Sequence, residues 1–127
     1  MIKHRIMRTE GILVIEPIAA LSEEDFRGLT VSVDAYLTEQ PALHGLLIHA
    51  KHFPGWENFA GLSAHLRFVR EHHRKIERIA LVTDSPLGTV APALAMHFVS
   101  AEIRHFGYSE FEEALLWLKK NASGSVD

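Results

Sequence analysis

The sequence predicts an α/β fold: a two-layer sandwich on a five-stranded mixed sheet that starts with an antiparallel hairpin, its elements in the order ββαβαβαβα. Three observations carry this. Two short β-favouring runs meet at a glycine-bearing turn near the N-terminus; later apolar runs of strand length alternate with stretches of helical periodicity; and capping chemistry stands at the head of those helical stretches. Successive helical crossovers then imply parallel neighbours within one sheet.

Residues 3 to 8 and 11 to 16 are the first two strands, joined by Thr9-Glu-Gly11, where glycine tolerates the positive φ of a tight turn. Ser22-Glu-Glu-Asp25 combines a capping hydroxyl with early acids, and Phe26, Leu29, Val33 and Leu37 follow at helical spacing, so a first helix runs to about Glu39. Pro41 stops it, and His44-Gly-Leu-Leu-Ile-His49 is a buried strand. After the loop Lys51-His-Phe-Pro-Gly-Trp56, Asn58 caps a second helix whose core face is expected at Phe59, Leu62, Leu66, Val69 and His73, with Arg67, Arg70, Glu71 and Arg74 opposite.

Ile79-Ala-Leu-Val-Thr83 is the fourth strand, ending in the turn residues Asp84-Ser-Pro-Leu-Gly88. The stretch from Thr89 to about Val99 predicts a third helix that is apolar almost all round, with Pro92 in its first turn. Glu102-Ile-Arg-His-Phe106 is the fifth strand. Ser109-Glu-Phe-Glu112 has a capping-box pattern and opens a closing helix with Phe111, Leu115 and Leu118 toward the core. Residues 1–120 are thus expected to form a single domain and 121–127 a flexible C-terminal tail.

Composition narrows the function classes. The chain has 127 residues, 47% hydrophobic and 23% charged, which suits one globular domain with one core. It holds no cysteine, so disulfides, thiolate metal sites and a cysteine nucleophile are excluded, in keeping with a cytoplasmic location. A formal charge of -3 gives no general attraction to nucleic acid, and no apolar run reaches membrane-spanning length. The nine histidines carry no metal-ligand spacing: His72 and His73 are helix neighbours that diverge, and no His-Glu-x-x-His pattern accompanies them. Nucleophile elbows, Walker loops and dinucleotide fingerprints are missing from the sequence as well, so it calls for no cofactor, no metal and no catalytic residue.

Several segments resemble the SpoIIAA-like family of the STAS superfamily, which also carries a CRAL-TRIO or SEC14-like label. They are Ile79-Ala-Leu-Val-Thr-Asp84, Ala91-Pro92, Glu102-Ile-Arg-His-Phe106, Glu112-Glu-Ala-Leu-Leu-Trp-Leu118 and the central Trp56-Glu57. The resemblance spans residues 2 to 120 and implies a STAS-like fold from a bacterial source. Anti-sigma-factor antagonists of this superfamily place a phosphorylatable serine at the helix after the third strand. Here that region reads Pro54-Gly-Trp-Glu-Asn-Phe-Ala-Gly61, with no hydroxyl before Ser63, and the Asp84-Ser85 pair falls in a later turn.

Ligands of open parallel sheets collect at the carboxyl ends of strands. That edge gathers Lys51, His52 and Trp56 after the third strand, and Asp84, Ser85 and Thr89 after the fourth: a cation, an imidazole, an aromatic surface and a carboxylate around one loop cluster. The competing account makes them solvated loops, with Asp84 a turn former and Trp56 a lid on the core. Met96 and Val99 on the apolar helix are the candidate interface, toward a homodimer or a protein partner. The sequence thus points to a non-enzymatic STAS-like interaction module. The alternative is a SEC14-like carrier of a small apolar or anionic ligand or a lipid, which would need a deep apolar cavity.

Overall fold

Ile12, Leu13, Val14 and Ile15 are consecutive and all buried, so this strand is covered on both faces, as its unbroken apolar run requires. The computed structural model describes residues 1–85 and 101–120. Within them the elements are β1 (Ile2–Met7), β2 (Ile12–Pro17), α1 (Glu23–Leu37), β3 (Leu43–His49), α2 (Phe59–His72), β4 (Ile76–Val82), β5 (Glu102–Phe106) and α3 (Phe111–Lys119), with a 3-10 turn at His73–Lys75. The helix expected from Thr89 to Val99 and the tail 121–127 lie outside the described residues.

The five strands lie side by side in chain order. β1 pairs antiparallel with β2 through the turn in which Gly11 takes φ 70°, and β2 to β5 run parallel. Alternation divides the apolar side chains between two cores. Leu13, Ile15, Leu46 and Ile79 meet α1 and α2 on one face of the sheet; Val14, Leu47, Ala80 and Val82 meet Ala114, Leu115 and Leu118 of α3 on the other. Gly45 is required here by close approach: a Cβ on it would stand 2.9 Å from Leu118 Cδ2.

The periodicity of α2 gave the wrong face. Phe59 is 80% exposed and Leu66 is exposed, whereas Gly61, Ala64, Phe68, Val69 and His72 are buried, so only Val69 is common to the expected and observed faces. Two constraints choose the phase. Gly61 lies against the Leu21 carbonyl oxygen, where a Cβ would collide. His72, which takes the buried place expected of His73, is satisfied there: its Nδ1 is 2.7 Å from the Phe68 carbonyl oxygen and its Nε2 is 2.8 Å from Asp34 Oδ1 on α1. The expected capping box at Ser109 also does not form. Glu110 is the N-cap of α3, and its Oε1 instead accepts the Gly107 N–H at 2.6 Å, closing the turn after β5.

The caps at Ser22 and Asn58 do form. At the first, the Asp25 carboxylate accepts from the Ser22 N–H at 2.9 Å, the Ser22 hydroxyl at 3.0 Å and the Ile2 N–H at 3.1 Å, and pairs with the Met1 amine at 3.1 Å. Burial by itself raises this carboxyl, but the hydrogen bonds from Ser22 and the amine, with the amine's charge, outweigh it. The result lies below the ordinary value of 3.8. The folded group is therefore more acidic than the unfolded one, so its contribution is full above that ordinary value and is lost as pH falls through the lower folded value.

Urea unfolding across a pH series checks this: stability should fall below about pH 4 with a slope that Asp25→Asn flattens, and a slope unchanged by the substitution would refute the assignment. Ser22→Ala should cost about 1 kcal/mol at neutral pH. In the sheet, Leu47→Ala should cost about 2 to 5 kcal/mol by the same assay, because Leu47 is fully buried between β-strand neighbours and α3.

Candidate functional site

Because β2 to β5 are parallel, their carboxyl ends share one edge, and the chain segments leaving them are stitched together there. Backbone pairing continues past the strands: Ala50 N–H to the Val82 oxygen at 3.1 Å, Thr83 N–H to Phe106 at 2.9 Å and Asp84 N–H to Lys51 at 3.0 Å. Side chains complete the seam. The buried Thr83 hydroxyl donates to the Lys51 oxygen at 3.1 Å and accepts the Ser85 N–H at 3.1 Å. Ser85 Oγ accepts the Phe53 N–H at 3.1 Å, and Asp84 Oδ1 accepts the Tyr108 N–H at 3.0 Å.

These contacts divide the residues anticipated from the sequence. Asp84 and Ser85 do meet the Lys51 segment, Asp84 by its backbone N–H to the Lys51 oxygen and Ser85 by its hydroxyl to the Phe53 N–H, so both serve as ties between loops. Lys51 and His52 are exposed. Trp56 points toward the helices: its segment bridges to Leu21, its Nε1–H donates to His65 Nδ1 at 3.0 Å, and its ring meets Phe53 edge-on at 5.0 Å. Phe53 is the link between the two halves, by its N–H to Ser85 and by its ring to Trp56. Thr89, Met96 and Val99 lie outside the described residues.

His49, the last residue of β3, draws attention in the sequence only as a metal-ligand candidate that its spacing rules against, and is not among the anticipated site residues. Its ring stacks on Tyr108 at 4.4 Å, meets Phe111 at 4.8 Å, and lies 3.6 Å from Glu16 Oε2 through Nδ1, while Nε2 is 3.1 Å from the Tyr108 carbonyl oxygen. The available signal was its place at the carboxyl end of an apolar strand, near Glu16, the penultimate residue of β2. His105 likewise holds the Thr83 carbonyl oxygen at 2.8 Å through Nε2. Among the described residues, no group of three or more His, Asp or Glu side chains is placed to hold a metal ion.

A second feature was invisible before the helix phases were known. Between α1 and α2 lies an open cleft of about 230 Å³, with Phe26, Ala64 and Phe68 among its apolar lining and Arg27, Arg67 and Glu71 among its charged lining. Phe26, Ala64 and Phe68 on its floor are buried core members while Val31 beside them is exposed, so the cleft is an open furrow between packed helices.

The fold and this edge can be set beside known proteins. A family model described as SpoIIAA-like matches residues 12–119. Among solved structures, an uncharacterised protein from Shewanella loihica PV-4 with a SpoIIAA-like fold superposes with a TM-score of 0.68 at 21% identity, covering 92% of this chain and 93% of that one. No curated protein matches.

The seam itself is testable. Thr83→Val keeps the shape and removes the hydroxyl, leaving the Ser85 N–H without its acceptor and the Lys51 oxygen with the Asp84 N–H alone. It should cost about 1 to 3 kcal/mol in urea unfolding and shift the amide resonances of Lys51, Phe53 and Ser85. A cost near zero with those resonances unmoved would mean that the loops are held by other contacts.

Proposed function

We propose that this chain, which belongs to the SpoIIAA-like family, is a non-enzymatic interaction module. It receives a protein partner on the segment from Lys51 to Leu66, the middle of α2. One observation carries the reading: Phe53, Trp56, Phe59 and Leu66 are 42%, 38%, 80% and 41% exposed, so large apolar side chains stand in water at four places within one short stretch. Single exposed hydrophobics are ordinary; aromatic residues concentrated on one surface segment are the composition of interface hot spots.

The backbone beneath them is held. Leu21 N–H reaches the Gly55 oxygen at 2.8 Å and Glu57 N–H reaches the Leu21 oxygen at 2.7 Å, so binding would order little that is not ordered already. Lys51 and His52 flank the aromatic residues and supply a polar rim, while Asp84 and Ser85 support the loop from below. The first hydroxyl on α2 is Ser63, and Asn58 fills the cap, so this reading involves no phosphoserine at the helix start.

A carrier of lipid or of a larger small molecule calls for an enclosed cavity of some 300 to 1,000 Å³. Among the described residues, the cleft between α1 and α2 is open and holds about 230 Å³, so it is not itself such a cavity.

The test is affinity capture from host lysate with the wild-type chain, followed by Phe59→Asp and Trp56→Ala. Phe59→Asp should leave stability within about 0.5 kcal/mol, since the side chain is almost wholly in solvent, and should abolish capture of a partner that the wild type retains. A partner retained equally by both variants would place the interaction elsewhere.

A further inference from the structure

One long edge of the sheet is β1, and it is basic. Lys3, His4 and Arg5 are consecutive and exposed, Arg8 follows at the turn, and the strand contains no acid, in a chain whose formal charge is -3. Among the described residues no strand pairs with the outer side of β1, and Lys3 and Arg5 make no ion pair.

The register shows which backbone groups are open. Antiparallel pairs alternate between hydrogen-bonded and non-bonded positions. The Met1 oxygen accepts from Ile18 N–H at 2.8 Å, Lys3 stands opposite Glu16, and Ile2 stands opposite Pro17, which has no N–H to give. The groups of Lys3, Arg5 and Met7 therefore point into the β1–β2 ladder, and those of Ile2, His4 and Ile6 point outward. Asp25 takes the Ile2 N–H, and among the described residues nothing takes the N–H and C=O of His4 and Ile6, which an incoming strand can use. The side chains alternate as well: Ile2 and Ile6 pack toward α1 and α2, while Met7 packs toward the α3 face that Lys3 and Arg5 share.

We propose that β1 accepts an extended acidic segment of a partner protein as a sixth strand, with acidic residues beside Lys3 and Arg5 and aliphatic residues, alternating with them, beside Ile2 and Ile6. Charge complementarity selects this occupant. A second copy of the chain paired antiparallel about His4 would set Lys3 against Arg5 of its neighbour, and a parallel pairing would also bring like charges together. An acidic strand satisfies the open backbone groups and both cations at once. The proposal concerns a different surface from the α2 aromatics and goes beyond the reading given for them.

The experiment uses the full chain and a fluorescein-labelled peptide alternating glutamate and valine, with a lysine–valine peptide of equal length as control. Anisotropy should show binding of the acidic peptide alone, weakening with added salt. Amide shifts should centre on His4 and Ile6. Lys3→Glu combined with Arg5→Glu should weaken binding by about tenfold or more. His4→Pro removes an outward N–H without touching a ladder bond and should do the same with urea unfolding retained; the charge pair decides the matter where the proline variant fails to fold. Absence of binding, shifts centred away from β1, affinity unmoved by the charge reversal, or a dimer through β1 in sedimentation would each overturn the proposal.

Discussion

Everything in this structure follows from strands that are apolar on both faces. β2, β3 and β4 carry Leu13, Leu46 and Ile79 to one side and Val14, Leu47 and Val82 to the other. Each such side chain contributes roughly 1.5 to 3 kcal/mol when taken out of water, so neither face can stay bare. Helices must lie on both, α1 and α2 on one and α3 on the other. With both faces covered, solvent reaches the sheet at its two ends and its two edges. Any binding surface then has to be built from loops, helix exteriors or an edge strand.

The sheet was legible in the sequence because its signal is redundant. A continuous apolar run, a bounding turn and a following helix each point to the same strand, and errors at the ends, such as β4 beginning at Ile76 rather than Ile79, do not alter the topology. The phase of α2 had no such redundancy. Phe59, Leu62 and Leu66 form one apolar stripe, and Ala64, Phe68 and Val69 form another about a third of a turn away; hydrophobicity cannot choose between them. The choice was made by groups far off in the chain, the Leu21 carbonyl that admits only a glycine and the Asp34 carboxylate that receives His72. Long-range polar contacts leave no periodic trace in a sequence. The Ser109 pattern failed for a related reason, since Glu110 found a nearer donor in Gly107.

The same logic explains the fate of the expected site. Of the expected residues, Asp84 and Ser85, with Thr83 beside them, sit where loops leave parallel strands and their backbone groups run out of partners. Short polar side chains at such places are drawn into closing that gap. At the edge where the sequence placed Lys51, His52, Asp84 and Ser85, Asp84 and Ser85 have structural tasks, and nearby aromatic side chains stand in solvent. Recognition built from exposed rings on a fixed backbone needs no converging catalytic groups, which fits the side chains that the loops leave over.

The two edges of the sheet show how differently similar charges can be used. On β5, Arg104 lies 5.3 Å from the Phe106 ring and 5.9 Å from the Trp117 ring, and beside it Arg78 of β4 lies 5.0 Å from Trp117 and 3.4 Å from Glu102. Those guanidinium groups cover aromatic surface and are held by it. On β1, Lys3 and Arg5 have no such seat among the described residues, although charge at an edge is sufficient to discourage indiscriminate strand pairing. Discouragement of that kind would be met by either sign or by a mixture. A strand of one sign, with its outward backbone groups open at His4 and Ile6, repels its own copy while remaining complementary to an acidic strand. The pattern that protects the edge is also the pattern that selects what can occupy it.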